Sequence, residues 1–552
     1  MLPDYMMVWL VLACSLPNFI LLFTEPVPLI VRIANALIFP PIWWWAAFTL
    51  RHPGRTIWDL FIAIFFSAFE LVLLWLFGRD VIAVDMYLNL ITTNPTEAGE
   101  LLGNLWPSLV LVVVIYVPLL VFGVVYFKCQ TPKNSPFRTK LSRQIIPGII
   151  FVAGLISFFF CPAPYGRGYL AYSAIYPVNV AANLGIAIHR LYEVGHYKET
   201  SKDFTFHATS ERPDSLPETY ILVIGETSRA DRWQLLNPGS DLRTNPRLLR
   251  RFQNPTDSTG ALIAFPRAYS QSTTTHKAVP LMLSHLGARQ YGDSITRVKS
   301  IITAFREAGF RTTFISNQLP NRSYIEFFES EADSLMYVPG LPTSDLLLPG
   351  MVKRILNDPN HQAKKNLIIL HTYGAHFSYR DRYKDIDLEY KITPDNYSKA
   401  SKKERPLLIN SYDNNMIVVD SLLSSIISIL TPRPGYTGMV YAGDHGEEIF
   451  DAEGLFLHAT PFPTLNQLHV PFVVWVSPTL QKKMGVKTEL DNRILPSSEA
   501  FSNTVMQMAG IRTPYLNLKT SALNKEAGDQ DIYFLNDHNR AYPLSYYGIE
   551  IK

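Results

Sequence analysis

Three short motifs in the second half of the chain carry side chains that together could bind a metal ion and activate a hydroxyl group. Gly225-Glu226-Thr227 ends one apolar run, Asp444-His445-Gly446-Glu447 ends another, and Thr273-Thr274-Thr275 opens a segment with a helical pattern. Carboxylates and imidazoles are ligands of divalent metals such as zinc, and a threonine hydroxyl becomes a nucleophile once a metal or a base activates it. These residue types indicate metal-dependent group transfer.

Glu226, Asp444 and His445 can supply three protein ligands, which leaves one coordination position for a hydroxyl. Thr275 stands where a helix is expected to begin, and the dipole and free N–H groups there favour an alkoxide and an incoming phosphate. The same position also suits a simple helix cap, and the two preceding threonines are alternative nucleophiles.

Two histidines near predicted strand ends, His376 and His458, could assist the chemistry. An imidazole can protonate a leaving alkoxide or neutralise phosphate oxygens. A structural role fits His458 equally well. His469, which precedes Val-Pro at a strand start, is interpreted as structural.

The region from Glu218 onward alternates short β-rich apolar runs with helical patterns. The predicted strands are Tyr220–Ile224, Thr312–Ser316, Asn366–His371, Thr437–Ala442 and Val470–Val476, and the predicted helices include Ser300–Ala308 and Ser411–Leu430. This alternation predicts an α/β fold with a largely parallel sheet covered on both faces. Ligands bind such sheets at the carboxyl ends of the strands, and polar motifs follow four of these strands directly. The candidate functional residues are therefore expected to lie together at the edge of the sheet formed by the carboxyl ends of its strands.

The first 162 residues differ, because apolar segments of membrane-spanning length dominate them. Five such stretches are predicted as spans: Met6–Phe23, Leu29–Leu50, Trp58–Phe77, Leu101–Phe127 and Ile145–Cys161. The first stretch has no basic leader and no small-residue cleavage site, so it is interpreted as a span rather than a signal peptide.

The charges of the loops predict the orientation of these spans. Basic residues lie between spans two and three and between spans four and five: Arg51, Arg55, Lys128, Lys133, Arg138, Lys140 and Arg143. The positive-inside rule then places everything after span five outside the cytoplasm, which in a Gram-negative cell is the periplasm. We expect a multi-pass inner-membrane protein with a catalytic domain in the periplasm.

Length and composition agree with this division. A chain of 552 residues is too long for one ordinary domain, and we expect a transmembrane domain over residues 1–162, a linker over 163–217 and a catalytic domain over 218–552. The linker contains a mildly apolar segment, Tyr172–Tyr192, that suits an interfacial helix. A net charge of +3 gives no case for nucleic acid, and the three cysteines precede Pro162, so no disulfide is expected beyond it.

A polar loop separates spans three and four. Asn89, Thr93 and Glu97 recur every four residues, so on one helix they would share a face. A polar stripe at the outer face of the membrane could hold a lipid headgroup, with Glu97 opposite an amine. The alternative is an ordinary solvated connector.

In their order and combination, seven motifs resemble those of the membrane-bound phosphoethanolamine transferases that modify bacterial lipopolysaccharide, the EptA- and EptB-like family that includes the colistin-resistance enzymes. They are VIGETSRADR (223–232), TTTHKAVP (273–280), LHTYGAHF (370–377), INSYDN (409–414), AGDHGE (442–447), LHATP (457–461) and HVPF (469–472). The resemblance covers nearly the whole chain. It implies a catalytic domain of the alkaline phosphatase/sulfatase type.

The same resemblance implies the reaction, which is transfer of phosphoethanolamine from phosphatidylethanolamine to lipid A, the lipopolysaccharide core or another envelope glycan. It places one zinc ion, with further ions possible, on Glu226, Thr275, Asp444 and His445. It makes Thr275 the nucleophile that forms a phospho-threonine intermediate. It also places His376 and His458 around the phosphate, and the Asn89–Thr93–Glu97 stripe at the lipid donor.

Two departures from the family pattern concern the acceptor. Gln271 and Leu281 stand where lipid A-modifying relatives carry a disulfide around the nucleophile loop, and Gln290 replaces an acidic residue. A phosphoglycerol transferase of the same fold is an alternative. A sulfatase would need a C/S-x-P-x-R motif, which is absent after Pro162, and a non-catalytic lipopolysaccharide sensor would be expected to lose metal ligands that this chain retains.

Overall fold

A computed structural model describes residues 2–77, 82–92, 95–130, 136–161, 175–256, 258–320, 323–359, 363–451 and 454–551. The N-terminal helices are α1 Leu2–Thr24, α2 Leu29–Thr49, α3 Pro53–Asp59, α4 Phe61–Phe77, α5 Val84–Thr92, α6 Pro95–Val125 and α7 Ile146–Phe159, the last preceded by a π-helical turn at Leu141–Ile145. Apolar segments long enough to cross a bilayer occur in α1, α2 and α6, and in α7 taken together with the π-helical turn that precedes it. They correspond to four of the five predicted spans.

The third predicted span, Trp58–Phe77, is not one straight helix. It is divided between α3 and α4, whose axes meet at an angle of 62°. Gly54 in α3 lies against the backbone that follows α6. The approach is so close that a Cβ atom at this position would be 2.4 Å from the Tyr126 carbonyl carbon. This close contact places α3 beside the end of α6.

Buried polar side chains connect the membrane helices. The Asn18 amide in α1 donates to the Asn35 side chain in α2 at 2.9 Å and to the Tyr176 carbonyl at 2.9 Å. The Tyr176 and Ser67 hydroxyls form a hydrogen bond of 2.8 Å. An apolar environment offers no competing water, so these bonds favour one arrangement of the helices.

The polar stripe does not lie on one helix, so that part of the prediction is wrong. Asn89 is in α5, which ends at Thr92, whereas the backbone of Glu97 is in α6, which begins at Pro95. Proline lacks the N–H that would continue a helix and is well suited to the first turn of a new one. Thr93 and the side chain of Glu97 lie outside the described residues.

The segment predicted as an interfacial helix does contain a helix, with shifted bounds. Helix α8 runs from Val178 to Gly195, so it begins six residues after the predicted start at Tyr172 and ends three residues after Tyr192. Tyr172 itself lies outside the described residues. Pro177 stands at the N-cap of α8. Helix α8 packs on α5. The Asn183 amide of α8 donates to the carbonyl of Ile82, two residues before α5 begins, at 2.8 Å.

The second half of the chain is built on an eight-stranded sheet. Its strands are β1 Glu218–Gly225, β2 Ala261–Phe265, β3 Arg311–Ser316, β4 Ser334–Tyr337, β5 Lys365–His371, β6 Tyr436–Gly443, β7 Phe472–Val476 and β8 Glu489–Leu490, in the spatial order β8-β2-β7-β6-β1-β5-β3-β4. Strand β7 is antiparallel to both neighbours and the other pairs are parallel. The largely parallel sheet and all five predicted strands are confirmed, and β2, β4 and β8 are additional.

Helices cover both faces of this sheet. They are α9 Pro246–Gln253, α10 Thr275–Leu283, α11 Ala288–Ser294, α12 Ile301–Glu307, α13 Tyr324–Glu329, α14 Leu348–Asn357, α15 Arg405–Leu430, α16 Pro478–Met484 and α17 Ser497–Met508. Single helical turns occur at Tyr197–Thr200 and Leu465–Leu468. Short strand pairs join Thr209–Ser210 to Ile511–Arg512, Ala268–Tyr269 to Leu495–Pro496, Glu448–Ile449 to Phe456–Leu457, and Tyr533–Leu535 to Ala541–Pro543.

Alternate residues of the central strands point to two separate cores. Leu222 and Ile224 in β1 pack with α10, α12 and α17, whereas Ile221 and Val223 pack with α14 and α15. A strand buried on both faces has no polar side, which explains the continuous apolar runs of β1, β5 and β6.

Helix α15 is as long and apolar as a membrane span, yet most of it is buried in this domain. Asp420 lies within it, fully buried, and accepts the backbone N–H groups of Arg247 and Leu248 at 3.0 and 2.8 Å. The predicted helix Ser411–Leu430 is confirmed, and it begins six residues earlier, at Arg405.

Replacing Leu423 with alanine tests this placement of α15. Leu423 is fully buried against the sheet, so Leu423→Ala should lower the free energy of unfolding by about 2–5 kcal/mol. Thermal unfolding of the purified full-length protein in detergent measures the change. Ser425→Ala on the exposed side of the same helix is the matched control, and equal melting temperatures for the two variants would contradict a buried α15.

Candidate active site and metal centre

The sheet brings the chemical motifs to one edge. Strand β1 lies between β5 and β6, with Ile224 opposite His371 and Gly225 opposite Gly443. Because the three strands are parallel and in register, the residues that follow them emerge side by side. Glu226 therefore meets Asp444 at the carboxyl edge.

Glu226, Asp444 and His445 form a buried cluster whose ligand atoms all lie within 4.8 Å of one another. The His445 Nε2 atom is 3.3 Å from Asp444 Oδ2 and 3.7 Å from Glu226 Oε1. Thr275 completes the group, since its Oγ1 is 3.2 Å from Glu226 Oε2 and 3.1 Å from His445 Nε2. The structure thus brings together the four residues that the sequence singled out as candidate ligands.

The backbone and two further side chains hold the carboxylates in place. Asp444 Oδ1 accepts the N–H groups of Thr227 at 3.0 Å and His445 at 2.7 Å. Glu226 accepts the Thr227 hydroxyl at 2.6 Å and the Gln318 amide at 2.9 Å. Sequence reasoning assigned no role to Thr227 or Gln318, although each directly follows a predicted strand, which is the signal that could have identified them.

The donor set fits a divalent cation. Asp444 Oδ2 is buried and has no hydrogen-bond partner within the described part of the chain. Burial and the neighbouring Glu226 carboxylate raise the pKa of Asp444 to about 7. A cation between these groups would stabilise both carboxylates in their charged form. Two carboxylates, one imidazole nitrogen and one hydroxyl are ligands that suit zinc.

Thr275 is the first residue of α10, so its hydroxyl lies at the positive end of the helix dipole. Thr274 occupies the N-cap position and pairs with the Ser272 hydroxyl at 3.2 Å. The Thr273 carbonyl accepts the Ala459 N–H at 3.1 Å. Among the described contacts of the three threonines, only the hydroxyl of Thr275 reaches Glu226 and His445.

His376 and His458 flank this cluster. The His458 ring is centred 4.2 Å from the His445 ring and 6.5 Å from the His376 ring. Burial holds the pKa of His458 well below its usual value, and its Nδ1 lies 3.5 Å from Oε2 of the buried Glu447. His376 is half-buried, and its Nδ1 lies 2.7 Å from the Phe377 carbonyl oxygen.

His469 and Asn89 lie apart from these contacts. His469 stacks on Tyr269, and its Nε2 lies 2.7 Å from the Pro266 carbonyl oxygen, as a structural residue would. Asn89 is half-buried in α5 and is the one residue of the stripe whose side chain the structure describes.

The segment around Thr275 is held by packing and hydrogen bonds at the two places where relatives were expected to have a disulfide. The Gln271 amide donates to Glu499 Oε1 at 2.9 Å, and the Gln271 carbonyl accepts the Leu535 N–H at 2.8 Å. Leu281 is fully buried in the core beneath α10. Gln290 is exposed.

Comparison with known proteins gives the family. The family model named Sulfatase matches residues 218–511, which is more than half of the chain. The chain is 29% identical over 335 residues to the Kdo(2)-lipid A phosphoethanolamine 7''-transferase of Escherichia coli K12, covering 57% of this chain and 55% of that protein. It therefore spans about half the length of that curated relative.

Two solved structures show the same fold. The integral membrane lipooligosaccharide phosphoethanolamine transferase A of Neisseria meningitidis superimposes with a TM-score of 0.68 at 20% identity, over 95% of this chain and 99% of that chain. The C-terminal periplasmic domain of EptC from Escherichia coli, in complex with zinc, superimposes with a TM-score of 0.54 at 23% identity, over 62% of this chain and 97% of that chain. The protein therefore belongs to the sulfatase family, with candidate membrane helices preceding its sulfatase-like domain.

Proposed function

We propose that the protein transfers phosphoethanolamine from phosphatidylethanolamine to lipid A or the lipopolysaccharide core, through a phospho-threonine intermediate on Thr275. One observation carries the proposal, namely that the Thr275 hydroxyl, at the start of α10, contacts both Glu226 and His445. The substrate class rests on the Escherichia coli relative, whose name specifies phosphoethanolamine transfer to Kdo(2)-lipid A.

Glu226, Thr275, Asp444 and His445 would hold one zinc ion, and the zinc complex of the EptC domain supports this choice of metal. Zinc bound there would supply Lewis-acid activation of a hydroxyl and compensation of phosphate charge. Thr227 and Gln318 would keep Glu226 oriented by the hydrogen bonds they already donate to it.

The first half-reaction forms a bond between Thr275 Oγ1 and the donor phosphorus. The bond between phosphorus and the glycerol oxygen breaks. The Thr275 hydroxyl loses a proton, the departing glycerol oxygen gains one, and the product is diacylglycerol. The N–H groups at the start of α10 would stabilise the phosphate oxygens. In the second half-reaction an acceptor oxygen attacks phosphorus, the bond to Thr275 breaks, and the acceptor proton returns to the threonine. Two displacements replace one difficult step.

His376 and His458 would act on the phosphoryl group. The His458 ring is centred 4.2 Å from the His445 ring and 6.5 Å from the His376 ring, and an imidazole N–H can donate to a phosphate or to a leaving oxygen. The low pKa of His458 means that its ring is neutral near pH 7. It would therefore act as a neutral hydrogen-bond donor and not as a cation.

The membrane part would keep the catalytic site near its lipid donor. We propose that the N-terminal helices within residues 1–162 cross the inner membrane five times, that residues 163–217 form the linker, and that residues 218–552 form a periplasmic catalytic domain. Asn89, Thr93 and Glu97 would bind the donor headgroup from two consecutive helices instead of one. The apolar helices and the basic loops support this arrangement.

Replacing the nucleophile separates Thr275 from its neighbours. Thr275→Ala should lower phosphoethanolamine transfer by roughly 10³-fold or more, because the covalent route is lost. Thr273→Ala is the matched control and should keep most of the activity. The measurement is transfer from labelled phosphatidylethanolamine to lipid A, with phosphatidylglycerol as a second donor. Faster transfer from phosphatidylglycerol would favour a phosphoglycerol transferase instead.

Metal analysis tests the ligand set. The purified protein should contain about one zinc, and Asp444→Ala should lose most of it, because three ligands with one carboxylate remain. Asp413→Ala is a suitable control, since Asp413 is a buried carboxylate that pairs with Arg232 away from the cluster. Unchanged zinc in Asp444→Ala would remove Asp444 from the site.

Orientation can be measured with a reporter fused after Lys552. An enzyme that folds only after export should be active in this position, whereas a reporter that fluoresces only in the cytoplasm should be dark. The opposite pattern would contradict an odd number of spans.

A further inference from the structure

A buried cluster of charges joins the membrane-side helices to the nucleophile helix. The Lys277 ammonium donates to Asp85 Oδ2 at 2.7 Å and to the Asn536 carbonyl at 2.7 Å. Arg190 donates to Asp85 Oδ1 at 3.3 Å, and His276 Nε2 lies 3.3 Å from the same oxygen. One carboxylate on α5 therefore contacts α8 and two residues of α10.

The position of these groups in the chain links the two halves of the proposed active site. Lys277 follows the nucleophile Thr275 by two residues, within the first turn of α10. Asp85 precedes Asn89 by four residues, so the two lie one turn apart on α5. The contact between Lys277 and Asp85 thus spans the junction between the donor side and the nucleophile.

Because these charges are buried, leaving any of them without its partner would cost free energy. Lys277 and Asp85 are 2% and 5% exposed, and removal of Asp85 would take away the carboxylate that Lys277, Arg190 and His276 share. Burial lowers the pKa of Lys277 to about 8, despite the opposing effect of Asp85. Burial by itself would raise the pKa of Asp85. The contacts with Lys277, His276 and Arg190 outweigh this effect and hold the pKa of Asp85 below its usual value.

A cleft interrupts the packing between α5 and α10 at this junction. The cleft opens directly beside the cluster, bordered by Leu88 of α5, Leu191 of α8 and Tyr291 of α11, with His276 and Lys277 in its wall. Apolar surfaces that are separated by a cleft can slide against each other, whereas a hydrogen-bonded ion pair permits one geometry. Asp537 contributes a second contact, since its Oδ2 accepts the Val84 N–H at 3.4 Å.

We propose that the Asp85–Lys277 ion pair is a positioning device that sets the register of α5, and so of the bound donor phosphate, against Thr275. This inference rests on the proposed function, because it assumes that α5 contributes to the donor site. Asp85 and Lys277 then act through Asn89 and Thr275 rather than by touching the phosphate.

Kinetics on the full-length protein test the positioning role. Lys277→Met and the double variant Asp85→Leu/Lys277→Met should both lower kcat for transfer from phosphatidylethanolamine by about 10- to 100-fold, because small misplacements of reacting groups are that costly. The double variant removes both members of the pair, and the Arg190 side chain that loses its carboxylate is partly exposed to solvent, so the double variant should melt at a higher temperature than Asp85→Leu alone. Lys277→Arg, which preserves the charge and the hydrogen bond, should retain most of the activity.

A purely structural role would give a different pattern. Activity would then follow the melting temperature, and the double variant would recover transfer together with stability. That result would overturn the proposal, as would a Lys277→Met variant with unchanged kcat.

A distance measurement tests the position of α5 relative to the sulfatase-like domain, even if the protein catalyses a different reaction. Spin labels at Leu90→Cys on α5 and Ser425→Cys on α15 occupy exposed positions, in a background with Cys129→Ser. The wild-type pairing predicts one narrow distance distribution, which Asp85→Leu/Lys277→Met should broaden or shift. Broadening without phosphoethanolamine transfer in the parent protein would support the positioning device and refute the proposed function, and identical narrow distributions would refute the device.

Discussion

Two like charges are held side by side at the end of the sheet, and the arrangement of the site follows from them. Glu226 and Asp444 are both buried, and they meet because Gly225 and Gly443 are paired on neighbouring strands. The backbone there is tightly packed. Gly374, at φ +51, lies so close to Glu226 that a Cβ atom would be 2.4 Å from its carbonyl oxygen. A cation resolves the repulsion between the carboxylates, which is the physical reason to expect a metal at this point.

The same edge explains why a threonine is the candidate nucleophile. Thr275 starts a helix whose first turn faces the carboxylates, and the Ala459 N–H bonded to Thr273 ties the nucleophile loop to the segment that carries His458. Glu226, His445 and the N-terminus of α10 thus meet at one hydroxyl from three separate segments of the chain. Where relatives were expected to have a disulfide, Gln271 and Leu281 hold this loop by a hydrogen bond and by core packing.

The sequence predicted the parts of the fold that depend on local pattern. Strands β1, β5 and β6 are continuous apolar runs followed at once by polar motifs, so both the sheet and the convergence of Glu226, Asp444 and His445 were recognisable. The short edge strand β8 has only two residues and no periodic pattern. The break between α5 and α6 required Pro95 to outweigh a regular four-residue spacing. The contact of Gly54 in α3 with the end of α6 joins segments about 70 residues apart, so no local pattern reveals it. The ion pair between Asp85 and Lys277 joins residues 192 positions apart, beyond the reach of any motif.

The central claim is that Thr275 carries the phosphoryl group between donor and acceptor. The most direct measurement is mass spectrometry of the purified full-length protein after incubation with phosphatidylethanolamine and without an acceptor, followed by peptide mapping. The account predicts a single phosphoethanolamine adduct on the peptide that contains Thr275, localised to that residue and removed when lipid A is added. An adduct on Thr227 or Thr273, or transfer to lipid A with no adduct at any stage, would contradict it.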